Sequence, residues 1–123
     1  MANILIADDE ELVRSFIKRI VEGLGHEPFL AANGKVALDI FKKQRIDLSF
    51  ADIRMPLMDG LTFLHEVKKI KPDAVVVIIT GFPSADTISE TVEKDGYTYI
   101  TKPLSVQHII DLIQRGLSGQ VKS

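Results

Sequence analysis

Short apolar runs alternate along the chain with stretches in which apolar residues recur every three or four positions. That alternation predicts βα units around a parallel sheet. Runs of strand length lie at 3–7, 27–31, 48–51, 74–79 and 98–101. The fourth contains Val75-Val76-Val77-Ile78-Ile79, apolar throughout as a strand covered on both faces must be, and it marks the centre of the core. In the first helix Leu12, Val13, Phe16, Ile20 and Leu24 form a stripe expected to be buried, with Gly25 just beyond as a stop. Further helices are predicted at 34–43, 61–69, 84–95 and 105–117. The helix at 84–95 carries little apolar surface beyond Ile88 and Val92 and is rich in residues of middling helix propensity, so it should be the least firmly held.

Five βα units joined by right-handed crossovers leave few topologies. The most economical is a doubly wound α/β fold of flavodoxin-like type, a five-stranded parallel sheet in the order 2-1-3-4-5 with five helices. Connections are short, and no repeat or Pro/Gly-rich linker divides the chain. A single domain over residues 1–123 is therefore expected, with a frayed polar tail at 119–123. In this strand order the first and third strands are neighbours whose connections leave in opposite directions. A crevice opens beyond their carboxyl ends, where such sheets bind ligands.

Composition narrows the classes. A chain of 123 residues, 46% apolar and 26% charged, is ordinary for a globular protein and long enough for one real core. No apolar run approaches the roughly 20 residues of a membrane-spanning helix. Residues 1–7 lack the basic start of a signal peptide, and cysteine is absent, so a cytoplasmic protein is the simplest reading. The net charge of -2 and the lack of a Lys/Arg stripe argue against direct nucleic-acid binding.

The residues at the strand ends carry the chemistry. The first strand runs into Asp8-Asp9-Glu10-Glu11 and the third into Asp52, so three aspartates should meet in the crevice. Helix capping is the competing reading of Asp8 and Asp9. Asp52 weighs against it, because like charges on adjacent strands destabilise a fold unless a cation joins them. Hard oxygen ligands of this kind suit Mg²⁺. Thr80-Gly81 ends the fourth strand and Lys102-Pro103 follows the fifth. The Thr80 hydroxyl and the Lys102 ammonium would both face a phosphoryl group transferred into the crevice.

Asp8-Asp9, the run from Asp52 to Gly60, Thr80-Gly81 and Thr101-Lys102-Pro103 together resemble the response-regulator receiver family of bacterial two-component systems, in family order and over essentially the whole chain. The resemblance implies a phosphorylation-dependent switch in a phosphorelay rather than an enzyme, with intrinsic autophosphorylation and autodephosphorylation chemistry. Asp52 would attack the phosphohistidine of a sensor kinase or phosphotransfer protein to give an acyl phosphate. Asp9, Asp52 and the backbone carbonyl of Arg54 would ligate Mg²⁺, with Asp8 acting through water. Lys102 would pair with Asp52 at rest and with the phosphate afterwards, next to a cis bond to Pro103. Thr80 would move toward the phosphoryl group and leave space for the ring of Tyr99. Tyr97 shares a strand face with Tyr99, and which of the two rings acts is open. The face of the fourth helix, fifth strand and fifth helix would dock an output domain or protein, transcriptional or otherwise, and allows a homodimer on phosphorylation. Arg54, Gly81 and Phe82 flank the phosphoryl site, and the bulk of Arg54 and Phe82 is expected to limit water and lengthen the life of the acyl phosphate.

Met55 and Met58 are read as packing residues, and His26, His65 and His108 as surface residues without zinc spacing. A phosphatase of haloacid dehalogenase type also uses a strand-end aspartate with Mg²⁺, but it needs an acid where Arg54 stands. A flavodoxin-type flavin site needs a phosphate-cradling loop where this chain has four acids. A receiver that binds partners without phosphorylation is the remaining alternative, and the intact acid, Thr and Lys set speaks against it.

Overall fold

The computed structural model describes residues 1–81 and 98–118. Five parallel strands, β1 (Asn3–Ala7), β2 (Glu27–Ala31), β3 (Leu48–Asp52), β4 (Val76–Thr80) and β5 (Thr98–Thr101), form a sheet in the order β2-β1-β3-β4-β5. Among the described residues the helices are α1 (Glu11–Gly23), α2 (Gly34–Lys43), α3 (Gly60–Ile70) and α4 (Val106–Leu117). The helix expected at 84–95, with Phe82 and Tyr97, lies outside the described residues, as does the tail at 119–123. No helix among the described residues is long and apolar enough to cross a membrane.

Alternation along the strands divides the core in two. Ile4, Ile6, Phe50, Val77 and Ile79 face α1 and α4 and meet Ile17, Val21, Ile109 and Ile113; Leu5, Ala51, Val76 and Ile78 face α2 and α3 and meet Leu38, Phe41, Phe63 and Leu64. β3 and β4 are buried at every position, as central strands covered on both sides must be. β2 is an edge, and Pro28 there removes a donor that would otherwise invite pairing.

Three helices start on side-chain caps: Asn33 accepts from the Val36 N–H, Asp59 from that of Thr62 and Ser105 from that of His108. Lys42 and Lys43 in the last turn of α2, and Lys68 and Lys69 in that of α3, complement the negative helix ends. Gly25 has φ +85, the left-handed geometry of a helix stop.

Three expectations change. The α1 stripe is centred on Ile17 and Val21, while Leu12 is 85% exposed and Val13, Phe16, Ile20 and Leu24 only partly buried. Leu12 sits in the first turn, whereas the buried Ile17 and Val21 lie further along the helix. The fourth strand begins at Val76 rather than at residue 74, because the Ala74 N–H closes a turn onto the Lys71 carbonyl. Met55 is buried and Met58 packs against the core, as their reading as packing residues requires. His65 and His108 are exposed, but His26 is half-buried and its Nδ1 accepts from the Ala2 N–H at 3.0 Å, so it belongs to the structure of the strand starts.

Candidate functional site

The site is assembled by register. Ala7 pairs with Ala51, Asp52 with Ile79 and Thr80 with Thr101, so Asp8, Asp52, Thr80 and Lys102 arrive together at the carboxyl edge. Asp52, the last residue of β3, is only 5% exposed, and Asp8 and Thr80 are buried as well. Side-chain oxygens of Asp8, Asp9 and Asp52 lie within 4.8 Å of one another. Asp9 and Asp52 line a cleft of about 390 Å³ whose walls include Glu10, Arg54, Thr80, Gly81 and Lys102, with Asp8 buried behind it.

Every oxygen of Asp52 is engaged. Oδ1 accepts from the Arg54 N–H at 3.0 Å, and Oδ2 accepts from Lys102 Nζ at 3.1 Å. The Lys102 ammonium also lies 3.5 Å from Glu10 Oε2, so two carboxylates from different elements share it. Burial pulls the Lys102 pKa down, but its hydrogen bond to Asp52 and the charges of Asp52, Asp8 and Glu10 outweigh that and raise it above the ordinary 10.5. The Lys102-Pro103 peptide is cis, as the family pattern led one to expect.

Neither Asp8 nor Asp9 caps α1. The N-cap of α1 is Glu10, which makes no side-chain cap bond. Asp8 Oδ1 accepts from the N–H of Glu10 itself at 2.8 Å, outside the helix, and Asp9 is exposed. Asp8 Oδ2 is buried with no hydrogen-bond partner. Loss of water pushes the Asp8 carboxyl from 3.8 up to about 7; the Glu10 N–H opposes this, and the neighbouring Asp52 adds to it. An orphaned buried oxygen among three converging carboxylates fits a hard divalent cation, and oxygen-only donors of this kind favour Mg²⁺.

The floor beneath Asp52 depends on a glycine. A Cβ on Gly60 would run into the Asp52 carbonyl oxygen and come within 2.8 Å of Ile53 Cα. The Gly60 N–H in turn donates to the Ile53 carbonyl. The loop between them holds Leu57 at φ +69, with the Met58 N–H bonded to the Pro56 carbonyl at 2.8 Å, a γ-turn on a non-glycine residue. On its far side, a Cβ on Gly34 would strike the Met58 carbonyl oxygen.

The predicted set Asp8, Asp9, Asp52, Arg54, Thr80, Gly81 and Lys102 is brought together at this one edge. Tyr99 is half-buried on the neighbouring edge strand, packed against the α2/α3 side of the core. Sequence reasoning missed Glu10 as a partner of Lys102, Arg14, whose Nη1 donates to the Asp8 carbonyl at 2.7 Å, and Gly60 as the floor. A larger hollow of about 560 Å³ opens at the opposite end of the sheet, but its Arg45 and Asp47 already pair at 3.8 Å and no acidic cluster converges there.

Comparison with known proteins agrees with this geometry. A family model described as the response regulator receiver domain matches residues 4–114. Over 114 residues the chain is 36% identical to sporulation initiation phosphotransferase F of Bacillus subtilis (strain 168), spanning 93% of this chain and 92% of that one. It is 30% identical over 116 residues to transcriptional regulatory protein ZraR of Escherichia coli (strain K12), which is 94% of this chain but only 26% of that relative's length. A crystal structure of a response regulator receiver domain protein from Clostridium thermocellum is similar with a TM-score of 0.90 at 30% identity, covering 98% of this chain and 97% of that one.

Proposed function

The chain belongs to the response regulator receiver domain family, and from that premise we propose that Asp52 is its phosphoacceptor. Receivers are regulatory phosphoacceptor domains of two-component signalling, so the competing phosphatase reading falls away. What carries the assignment of Asp52 is a carboxylate buried at a strand end, joined to Lys102 at 3.1 Å and clustered with Asp8 and Asp9 within 4.8 Å.

In this reading a carboxylate oxygen of Asp52 attacks the phosphorus of a phosphohistidine. The new O–P bond forms as the P–N bond breaks, and the imidazole keeps the bonding electron pair. Asp9, Asp52 and the Arg54 carbonyl would hold Mg²⁺, with Asp8 acting through water, and the ion would neutralise charge on the phosphoryl oxygens. Lys102 leaves its pairing with Asp52 for a phosphoryl oxygen and remains tethered by Glu10. The Thr80 hydroxyl, on the strand adjacent to Asp52, donates to another. Its inward movement frees space for Tyr99, which couples the site to the face formed by β5, α4 and the predicted helix at 84–95. Output partners, a second copy among them, would dock there.

The donor has to cover Asp52, and the flank it meets is an apolar groove of about 250 Å³ formed by Leu12, Val13, Phe16, Pro103 and Leu104. The exposed Leu12 side chain, costly to leave in water, fits a surface buried against a kinase or phosphotransfer protein. The same reading takes the whole chain as one receiver domain acting in the cytoplasm.

The test is direct. Acetyl phosphate with Mg²⁺ should add the mass of one phosphoryl group, and beryllofluoride should shift the amide spectrum around Asp52 and Thr80. Both effects should vanish with EDTA and in Asp52→Asn. Labelling that persists in that variant would remove Asp52 from its role.

A further inference from the structure

Four successive acids, Asp8 to Glu11, leave β1 and enter a helix with no side-chain cap. Mutual repulsion acts to open such a turn. Two local ties oppose it: the Asp8 N–H donates to the Ala31 carbonyl at 3.1 Å, and Asp8 Oδ1 accepts from the Glu10 N–H. A third comes from further along the chain. Arg14, half-buried in α1, folds its guanidinium back so that Nη1 donates to the Asp8 main-chain carbonyl at 2.7 Å. Among the described residues no carboxylate pairs with Arg14 within 4.0 Å. The bond therefore ends on the backbone and leaves the carboxylate oxygens of the turn available.

We propose that Arg14 is a positioning residue for the divalent-cation site: by tying the Asp8 peptide to α1, it fixes the direction in which the Asp8 and Asp9 carboxylates leave the turn. This rests on the Mg²⁺ reading above. A guanidinium suits the task because it holds its charge at any working pH and its planar donors keep a fixed geometry. Bonds that orient ligand residues in this way commonly govern metal affinity as strongly as a weak ligand does.

Two accounts of Arg14 predict opposite signs. As a bystander cation it repels a bound divalent ion, so its removal should tighten Mg²⁺ binding a few-fold. As a positioning residue its removal should weaken binding, by about tenfold on the scale of outer-shell partners. Calorimetric titration of Mg²⁺ into the full chain and into Arg14→Met decides between them, with far-UV circular dichroism in EDTA as the check on folding. The expected result is about tenfold weaker uptake in Arg14→Met, with Arg14→Lys in between. Should Arg14→Met not fold, Arg14→Lys carries the test: its charge is retained, so a bystander predicts unchanged affinity and positioning predicts a loss of a few-fold. Unchanged or tighter binding in the deciding variant overturns the inference and leaves the metal site standing. A wild type that takes up no Mg²⁺ overturns the metal reading and this inference with it.

Discussion

Replacing Asp8 by asparagine should make the metal-free protein more stable, and by an amount that depends on pH in a defined way. The folded Asp8 carboxyl titrates near about 7 against 3.8 when free. Below the lower value both states are protonated and Asp8 adds no penalty. Between the two, the unfolded chain releases its proton while the folded chain keeps it, so stability falls as pH rises, by at most about 1.4 kcal/mol per pH unit. Above about 7 the penalty is complete. Three units would amount to roughly 4 kcal/mol, so about 2 to 4 kcal/mol is the expected range. The amide keeps the acceptor for the Glu10 N–H, and it places a donor where Asp8 Oδ2 now has no partner, next to Asp52. Urea denaturation followed by circular dichroism in EDTA measures the difference, and comparing the two proteins cancels the other titrating groups. Near pH 8 Asp8→Asn should gain about 3 kcal/mol, equivalent to about 10 °C in Tm for a domain of this size. Near pH 4 the two should coincide. Millimolar Mg²⁺ should narrow the gap near pH 8 by stabilising the wild type more than the variant. Equal curves near pH 8, or a gain that persists unchanged near pH 4, would refute the reasoning.

Other expectations can be checked with the same denaturation assay. Ser49→Ala should stabilise by about 1 kcal/mol, because the buried Ser49 hydroxyl has no hydrogen-bond partner and its removal costs little volume; a loss of stability would mean that the hydroxyl is satisfied in solution. Gly60→Ala should cost about 1 to 3 kcal/mol, since the added methyl meets the backbone of Asp52 and Ile53, and it should slow acetyl phosphate labelling at the same time. Leu57→Gly should be neutral to about 1 kcal/mol stabilising: the side chain is 76% exposed, so little packing is lost, and relief of the left-handed geometry offsets the added freedom of the unfolded chain. A clear destabilisation would show that Leu57 makes a contact in solution.

Much of this site could be read without coordinates because it lies at strand ends, where period-two runs stop and one residue type follows another at fixed places. The run ending in Asp52 and the all-apolar run before Thr80 specify their strands, and the strands specify the edge on which Asp8, Thr80 and Lys102 meet. What escaped depends on side-chain reach rather than on period. Nothing in the spacing of Glu10 and Lys102 tells that an ammonium from β5's end crosses to β1's, and the return of Arg14 onto Asp8 needs a rotamer, not a pattern. Leu12 fits the helical stripe by number, yet only Ile17 and Val21 of α1 are fully buried and Leu12 in the first turn stays exposed. Gly60 closes the run that begins at Asp52, but its close approach to the Asp52 backbone becomes visible only once the helix is laid against the strand.

The Asp52 rim of the cleft has little room to yield. On the Asp52 side, Gly60 rests on the strand end and Gly34 on the Met58 carbonyl, so backbone bears on backbone with no side chain between to deform. On the Thr80 side, a Cβ on Gly81 would find none of the described residues within 4 Å. Displacement entering at the acidic pocket therefore meets an anvil of main chain on the Asp52 flank. That anvil is set by two hydrogen atoms, at Gly60 and Gly34, where other residues carry a carbon.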